Sequence, residues 1–254
     1  MTRRAYVAVE GPHDAAVVAA LLRPAGFHRV QKAGYLDPFW QRLVPKTFPH
    51  RDDLLARVPV PLFLTGPECS VAVHSASGDG GLYHNIEETL ALVDREQISV
   101  GAILDADSQK PAVDRFTELA KQLRSLNLPV PTAAGDVAAD PRRCGIFVLP
   151  DNTSSGTLET ILVGCAQSVY PELLASAQAF VDTIDPSRYS PDEMKDFTKP
   201  AGKSKAIVAS VASILRPGKA IQVSLQDNRW MRDQALALPS VIAVQTFLAK
   251  LVAQ

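Results

Sequence analysis

Four carboxylates follow two short apolar runs, and this pattern carries most of the chemistry that the chain offers. Glu10 and Asp14 follow the first run in AYVAVEGPHD, and Asp105 and Asp107 close the second in VGAILDAD. If both runs are strands of an open α/β sheet, their carboxyl ends meet at the edge where such folds bind ligands. Hard cations prefer oxygen ligands of this kind. The pattern therefore predicts a site for Mg²⁺ or Mn²⁺ at that edge.

The spacing of Asp105 and Asp107 adds to this prediction. In an extended segment, residues i and i+2 point to the same side, so the two carboxylates converge. They repel one another unless a cation or a proton lies between them. The alternative is a strand end that turns into a loop, with the aspartates as turn formers. Similarly, Glu10 and Asp14 have an alternative role at the start of the next helix, where acidic residues favour the helix dipole.

Other polar residues are candidates for the same edge. Glu159 lies near the start of a predicted helix that follows a strand, so it either reaches the site or acts on the helix dipole. Asp151 and Asn152, just before it, are ligands or turn formers.

A phosphate or the substrate has its own candidate residues. They are Gly80 in the glycine-rich turn SGDGG and the lysines Lys203 and Lys205, in a segment with prolines and glycines. Lysines there would neutralise a phosphate or a transition state, although a charge run is usually a solvated surface.

The elements that must position these residues follow a strand–turn–helix order. Strands are predicted at residues 5–9, 27–31, 70–74, 100–104 and 145–149, and helices at 13–22, 85–95 and 112–126. Asn85 is the expected cap of the second helix. The crossover rule makes such an order a mostly parallel sheet that is covered on both faces. We therefore predict an α/β fold, an open and mostly parallel sheet with helices on both faces.

The chain also divides by composition. Residues 34–68 contain six prolines and predict an irregular insertion with little regular structure. Beyond residue 166 the strand pattern disappears, and helices are predicted at 168–181, 203–215 and 240–252. We expect an α/β domain over residues 1–165 that carries the insertion, and a helical C-terminal extension over 166–254 that packs on it.

Composition excludes several classes of protein. Three widely spaced cysteines form no CxxC pair and no disulfide framework, which makes a reducing cytoplasm the expected location. No apolar stretch approaches the roughly 20 residues that span a bilayer, so no membrane partner is expected. The formal net charge of −1 does not by itself attract nucleic acid, so an enzyme of nucleic acids needs a local basic patch.

Taken together, the motifs resemble the Toprim domain of topoisomerases, primases, OLD-type nucleases and 5S-rRNA maturases. VAVEGPHD is similar to the first motif of that family, ILDAD to its DxD motif, and SGDGG lies at the place of the glycine-bearing turn between them. LPDNTSSGTLE and KSKAIVASVASILRPGKAI resemble segments of uncharacterised prokaryotic Toprim-related proteins near the OLD-type nuclease branch. The resemblance implies a Toprim-like sheet in which Glu10 is an acid, a base or a ligand, and Asp105 and Asp107 hold Mg²⁺.

Two features depart from the Toprim pattern. The insertion at residues 34–68 separates the first two elements more than a minimal Toprim domain requires. Thr160 follows Glu159 where the resemblance would place an acidic residue, which weakens the case for a second metal site.

The preferred hypothesis is Mg²⁺-dependent phosphoryl transfer, in the form of hydrolytic cleavage of nucleic acid. Its catalytic residues are Glu10, Asp105 and Asp107, with Asp14 and Glu159 as further metal ligands. No tyrosine stands in a motif that would make it a topoisomerase nucleophile, so hydrolysis is favoured over strand passage.

The alternative is a non-catalytic Toprim-fold module that binds a nucleotide, nucleic acid or a partner. No GxxxxGK[ST] motif is present, so an OLD-type ATPase half, if one is needed, must come from a partner protein. The oligomeric state stays open.

Overall fold

A computed structural model describes residues 2–47, 60–76, 81–107, 110–139 and 142–253. Within these residues, seven strands form one sheet. They are β1 (Arg3–Val9), β2 (His28–Arg29), β3 (Leu62–Thr65), β4 (Cys69–Ser75), β5 (Ser99–Asp105), β6 (Val137–Ala138) and β7 (Cys144–Leu149). Their order in the sheet is β2-β3-β4-β1-β5-β7-β6.

The centre of the sheet is parallel. Strand β1 pairs in parallel with β4 on one side and β5 on the other, and β5 pairs in parallel with β7. Strands β2, β3 and β6 add antiparallel pairings toward the two edges. The apolar runs of β1 and β7 are buried along nearly their whole length, as strands covered on both faces require.

The helices lie on both faces of the sheet. They are α1 (Pro12–Leu22), α2 (Gly81–Leu92), α3 (Ala112–Ser125), α4 (Leu158–Val169), α5 (Pro171–Asp182), α6 (Pro191–Met194), α7 (Gly202–Leu215), α8 (Ile221–Asp227) and α9 (Pro239–Val252). Buried residues of α2 and α3 form one apolar core with one face, and those of α1, α4, α5 and α7–α9 form a second core with the other. The predicted α/β fold with a helical C-terminal part is therefore confirmed.

The C-terminal helices share the core of the sheet. On α9, the ring of Phe247 lies 5.5 Å from that of Phe147 on β7. A Cβ atom built on Gly101 would come within 2.5 Å of Leu251 Cδ2, so the glycine lets α9 approach the sheet closely. The helix α4 runs unbroken through the predicted domain boundary at 165/166. The helical part thus continues the α/β core, and its start does not coincide with an element boundary.

The proline-rich insertion has more order than its composition predicts. Strand β3 lies within residues 34–68 and pairs with β4, so the expectation of little regular structure is wrong there. Trp40 is also 1% exposed, and its Nε1 donates to Ser70 Oγ at 3.0 Å. Asp37 accepts hydrogen bonds from Arg4 at 2.9 Å and from Ser70 at 2.8 Å. Residues 48–59 of the insertion lie outside the described residues.

Some predicted boundaries are corrected. Helix α2 is already formed at Gly81, so Asn85 lies inside it and does not cap it. The helix predicted at 168–181 begins three residues later, at Pro171, because α4 continues to Val169. A proline suits the first helical position, where no amide hydrogen is needed. No described helix has the length and apolar character to cross a membrane.

Candidate metal centre and basic cleft

Strand pairing places Glu10 beside Asp105. Strands β1 and β5 are parallel neighbours with Val9 opposite Ile103, so both strands end at the same edge of the sheet. The amide of Asp105 donates to Glu10 Oε1 at 3.2 Å. The structure thus brings these two sequence-predicted residues into direct contact.

Asp105 lies at the centre of a group of acidic residues. Its pKa is raised to about 9 by burial first, and then by the negative charges of Asp14, Glu10 and Glu159. We call these four residues the carboxylate cluster. The amide of Leu158 donates to Asp105 Oδ1 at 2.8 Å and lowers the pKa, but does not outweigh the raising effects. At neutral pH the cluster therefore binds a proton at Asp105 unless a cation takes its place.

Asp14 and Glu159 are the buried members of this cluster. Asp14 is 9% exposed, and its Oδ2 accepts a 2.9 Å hydrogen bond from the amide of Gly11, which closes the turn after β1. Burial, with a smaller contribution from the charge of Glu159, raises the pKa of Asp14 to about 7, although the hydrogen bond from Gly11 and the charge of Lys205 act to lower the pKa. Glu159 is 6% exposed and accepts from Thr157 Oγ1 at 2.8 Å.

Asp107 takes a different place from the one its spacing predicts. Strand β5 ends at Asp105, and Asp107 has a left-handed φ of 64°. Its amide donates to the carbonyl of Gly156 at 3.0 Å. The argument from residues i and i+2 of an extended strand does not hold beyond Asp105. Asp107 instead lines the cleft that adjoins the cluster.

This basic cleft has a volume of about 800 Å³ and lies between the start of α4 and the start of α7. Its cationic lining residues are Lys110, Arg115, Lys199 and Lys205, and its acidic ones are Asp107 and Asp196. Lys199 is paired with Asp196 at 2.6 Å. Lys205 reaches the cluster electrostatically, because its charge lowers the pKa of Asp14.

Of the remaining candidates for phosphate or metal binding, one lies away from the cleft, one is outside the described residues and one forms a turn. Lys203 lies 3.6 Å from Asp182 and does not line the cleft. Gly80 lies outside the described residues. Asp151 accepts from the amides of Thr153 and Ser154 at 3.0 and 2.7 Å, which makes it a turn former.

Asn152 is also a turn residue. It has a left-handed φ of 70°, and its Oδ1 accepts from the amide of Val148 at 2.8 Å. Both Asp151 and Asn152 therefore follow the turn-forming alternative.

Two residues of the site were not anticipated. Arg115 on α3 is 7% exposed and donates from Nη2 to Glu10 Oε1 at 2.8 Å. Its only signal in the sequence is a charge on the apolar side of an amphipathic helix, next to Phe116. His13 lies between Glu10 and Asp14 in the sequence, and its side chain is half-buried. Burial is the main cause that lowers the pKa of His13.

A second cavity, of about 680 Å³, lies apart from the cluster. Its walls include Ala16, Leu36 and Phe63, and it is more apolar than the basic cleft. The four carboxylates line neither cavity, but Arg115 and Thr157, which bind Glu10 and Glu159, line the basic cleft and not this cavity. Because the titratable groups meet elsewhere, the basic cleft is the better candidate for chemistry.

The cluster suits a hard cation in donor type and in charge. All its donors are oxygens, and burial together with the charges of the neighbouring carboxylates raises the pKa of Asp105. The arrangement is incomplete, however. In the part of the chain that the structure describes, no three His, Cys, Asp or Glu side chains are grouped so as to hold a metal ion as they stand. Oxygens of a phosphate in the cleft would have to complete the coordination.

Comparison with known proteins gives a family and a fold. The sequence profile of a family described as Protein of unknown function (DUF3226) matches residues 4–252. The crystal structure of hypothetical protein PH0156 from Pyrococcus horikoshii OT3 is similar with a TM-score of 0.57 and 17% identity, over 98% of this chain and 100% of that chain. A comparison with curated proteins finds no significant match. At this identity the structural similarity shows the fold alone.

Proposed function

Because the chain belongs to the DUF3226 family, whose description names no activity, we propose a function from the site itself. The proposal is Mg²⁺- or Mn²⁺-dependent hydrolysis of phosphodiester bonds in nucleic acid. One observation carries it: two residues, Arg115 and Thr157, link the carboxylate cluster to the basic cleft. Arg115 contacts Glu10 and also lines the cleft, and Thr157 contacts Glu159 and also lines the cleft.

Each part of the site has a role in this proposal. Asp105 and Glu10, with Asp14 and Glu159 behind them, would hold the cation, which supplies charge stabilisation at the phosphate. Lys110 and Lys205 place positive charge where the phosphodiester enters. Asp107 contributes a carboxylate to the wall of the same cleft.

The size and chemistry of the cleft favour a single strand or a strand end as substrate. A volume of about 800 Å³ is within the range of small-ligand sites and holds little more than a nucleotide or two. None of the cleft-lining residues that the structure describes is aromatic. The described part of the cleft therefore favours recognition of phosphate charge over stacking of bases.

The resemblance to Toprim domains supports the same activity, because Glu10 and Asp105, the first aspartate of the DxD motif, lie together at one sheet edge. We also propose a cytoplasmic location, which the three free, buried cysteines support. If the activity needs an ATPase, a partner protein would supply it.

The test is a cleavage assay on labelled single-stranded DNA, duplex DNA and RNA with Mg²⁺, Mn²⁺ or EDTA. We expect metal-dependent cleavage that falls about 100-fold in Asp105→Asn. Asp136→Asn is the control, since Asp136 is an exposed acid that lies 3.6 Å from Lys250. Cleavage that is unchanged in Asp105→Asn, or absent on every substrate at millimolar metal, would contradict the proposal.

A second candidate is a module that binds a phosphorylated ligand without cleaving it. The observation in its favour is that Arg115 already neutralises Glu10. This candidate predicts oligonucleotide binding that needs Lys205 but not metal, with no product formed. Anisotropy of a labelled oligonucleotide in EDTA, followed by gel analysis of the same sample, separates the two functions.

A further inference from the structure

Arg115 holds the carboxylate cluster from within the protein. Its Nη2 donates to Glu10 Oε1 at 2.8 Å, and its Nε donates to the carbonyl oxygen of Asp105 at 2.9 Å. The side chains of Arg115 and Glu10 are only 8% and 15% exposed. One guanidinium therefore joins the ends of β1 and β5 on the buried side of the site.

The charge of this guanidinium is permanent. An arginine keeps its proton at every physiological pH, so it stays cationic even when buried. A buried charge is tolerated only when it is paired, and Glu10 supplies the pair. Arg115 therefore provides part of the positive charge that the cluster would otherwise take from a bound cation.

The position of Arg115 also gives the guanidinium a second possible binding partner, an anion in the basic cleft. The residue lines the basic cleft, beside Lys110 and Thr157. A guanidinium can hold two oxygens of a phosphate at once through its planar fork. Because Arg115 both contacts Glu10 and lines the cleft, an anion in the cleft is a second partner within the same region.

We propose that Arg115 is a positioning residue that competes with a divalent cation for Glu10. Without metal, Arg115 holds Glu10 and keeps the cluster assembled. When a cation binds at Glu10, the guanidinium is released into the cleft and binds the phosphate of the substrate. This inference rests on the proposed metal-dependent function and deepens it, because it makes metal binding and phosphate binding mutually supportive.

The first experiment measures the pairing itself, without metal. Melting temperatures in EDTA are compared for wild type, Arg115→Met, Glu10→Gln and the double variant. We expect Arg115→Met to lower the melting temperature, because Glu10 loses its partner. Glu10→Gln should restore part of that loss in the Arg115→Met background. Independent, additive losses would overturn the pairing.

The second experiment measures competition. Mn²⁺ binding is followed by calorimetry for wild type, Arg115→Met and Arg115→Lys. We expect Arg115→Met to bind Mn²⁺ about tenfold more tightly, which is a coupling of about 1.4 kcal/mol, and Arg115→Lys to lie between it and wild type. A purely structural role predicts the opposite, because a loosened site binds metal more weakly.

Arg124→Met is the matched control. Arg124 lies on the same helix, and its Nη2 donates to the carbonyl oxygen of Pro131 at 3.2 Å on the exposed surface. Its loss should leave the Mn²⁺ affinity unchanged.

The outcomes separate this inference from the proposed function. If wild type binds Mn²⁺ and Arg115→Met binds it equally or more weakly, the competition is overturned and the metal-dependent function stands. If neither protein binds Mn²⁺ at millimolar concentration, the competition is overturned, and the cleavage assay with Mg²⁺, Mn²⁺ or EDTA decides the metal part of the proposed function separately.

Discussion

The main-chain amide of Leu158 donates a 2.8 Å hydrogen bond to Oδ1 of Asp105, 53 residues away in the chain. This contact ties the first turn of α4 to the end of β5. A helix N-terminus stabilises negative charge, yet the pKa of Asp105 is still raised to about 9. Burial and three neighbouring carboxylates therefore outweigh one amide and one helix end, and Asp105 keeps its proton at neutral pH.

Asp105→Asn should stabilise the metal-free protein above neutral pH. Between about pH 4 and 9 the folded protein keeps a proton on Asp105 that the unfolded chain has lost, so stability falls as pH rises through this window. The slope from one such group is at most about 1.4 kcal/mol per pH unit. Asparagine removes this dependence and keeps an oxygen for the amide of Leu158. Urea unfolding in EDTA at pH 5 and pH 8 measures the effect.

The control for that measurement is Asp136→Asn, which changes an exposed acid and should leave the pH dependence of wild type intact. If Asp105→Asn loses stability with pH as steeply as wild type, the carboxyl of Asp105 does not titrate as stated.

Lys205→Ala should weaken binding of a 5′-phosphorylated single-stranded oligonucleotide, and Lys203→Ala should not. The two lysines are one helical turn or less apart, but only Lys205 lines the basic cleft, while Lys203 lies 3.6 Å from Asp182. We expect about tenfold weaker binding for Lys205→Ala and a salt dependence that is reduced by about one ion. Fluorescence anisotropy at several salt concentrations gives both values. Equal losses in the two variants would place the binding surface elsewhere.

Gly156→Ala should destabilise the loop between β7 and α4. Gly156 has a φ of +146°, and a Cβ atom there would lie 2.7 Å from Thr160 Oγ1. Its carbonyl also accepts the hydrogen bond from Asp107. We expect a loss of about 1–3 kcal/mol in the free energy of unfolding. Gly34→Ala is the control, because a Cβ atom at Gly34 meets nothing within 4 Å. Similar losses at both glycines would refute the steric argument.

Phe247→Ala should show that the last helix belongs to the core of the sheet. Phe247 is 1% exposed and packs on Phe147 of β7. Removing a buried aromatic ring costs about 3–5 kcal/mol, measured by chemical denaturation with one cooperative transition. Phe180→Ala, at a side chain that is 61% exposed, should change stability little. Two separate transitions in wild type would instead indicate that residues 166–254 fold as an independent unit.

Local sequence patterns were sufficient to predict most of the long strands of the sheet. Apolar runs predicted β1, β5 and β7 to within a residue or two, because strands buried on both faces need continuous apolar sequence. The contact of Glu10 with Asp105 follows from the same patterns, since adjacent parallel strands end at one edge. Composition misled at β3, whose four residues lie between prolines, and periodicity placed the start of α5 three residues early, at residue 168.

The sequence by itself determined the class of fold and the two strand ends that carry Glu10 and Asp105, because periodicity and parallel connection are local properties. Tertiary structure alone decided that Arg115 reaches Glu10 from a helix 105 residues away, that Glu159 approaches Asp105, and that Asp107 turns to the cleft wall. These facts depend on how α3 and α4 pack on the sheet edge and on one left-handed residue. Such packing arises from contacts between distant segments, so no spacing within the chain encodes it locally.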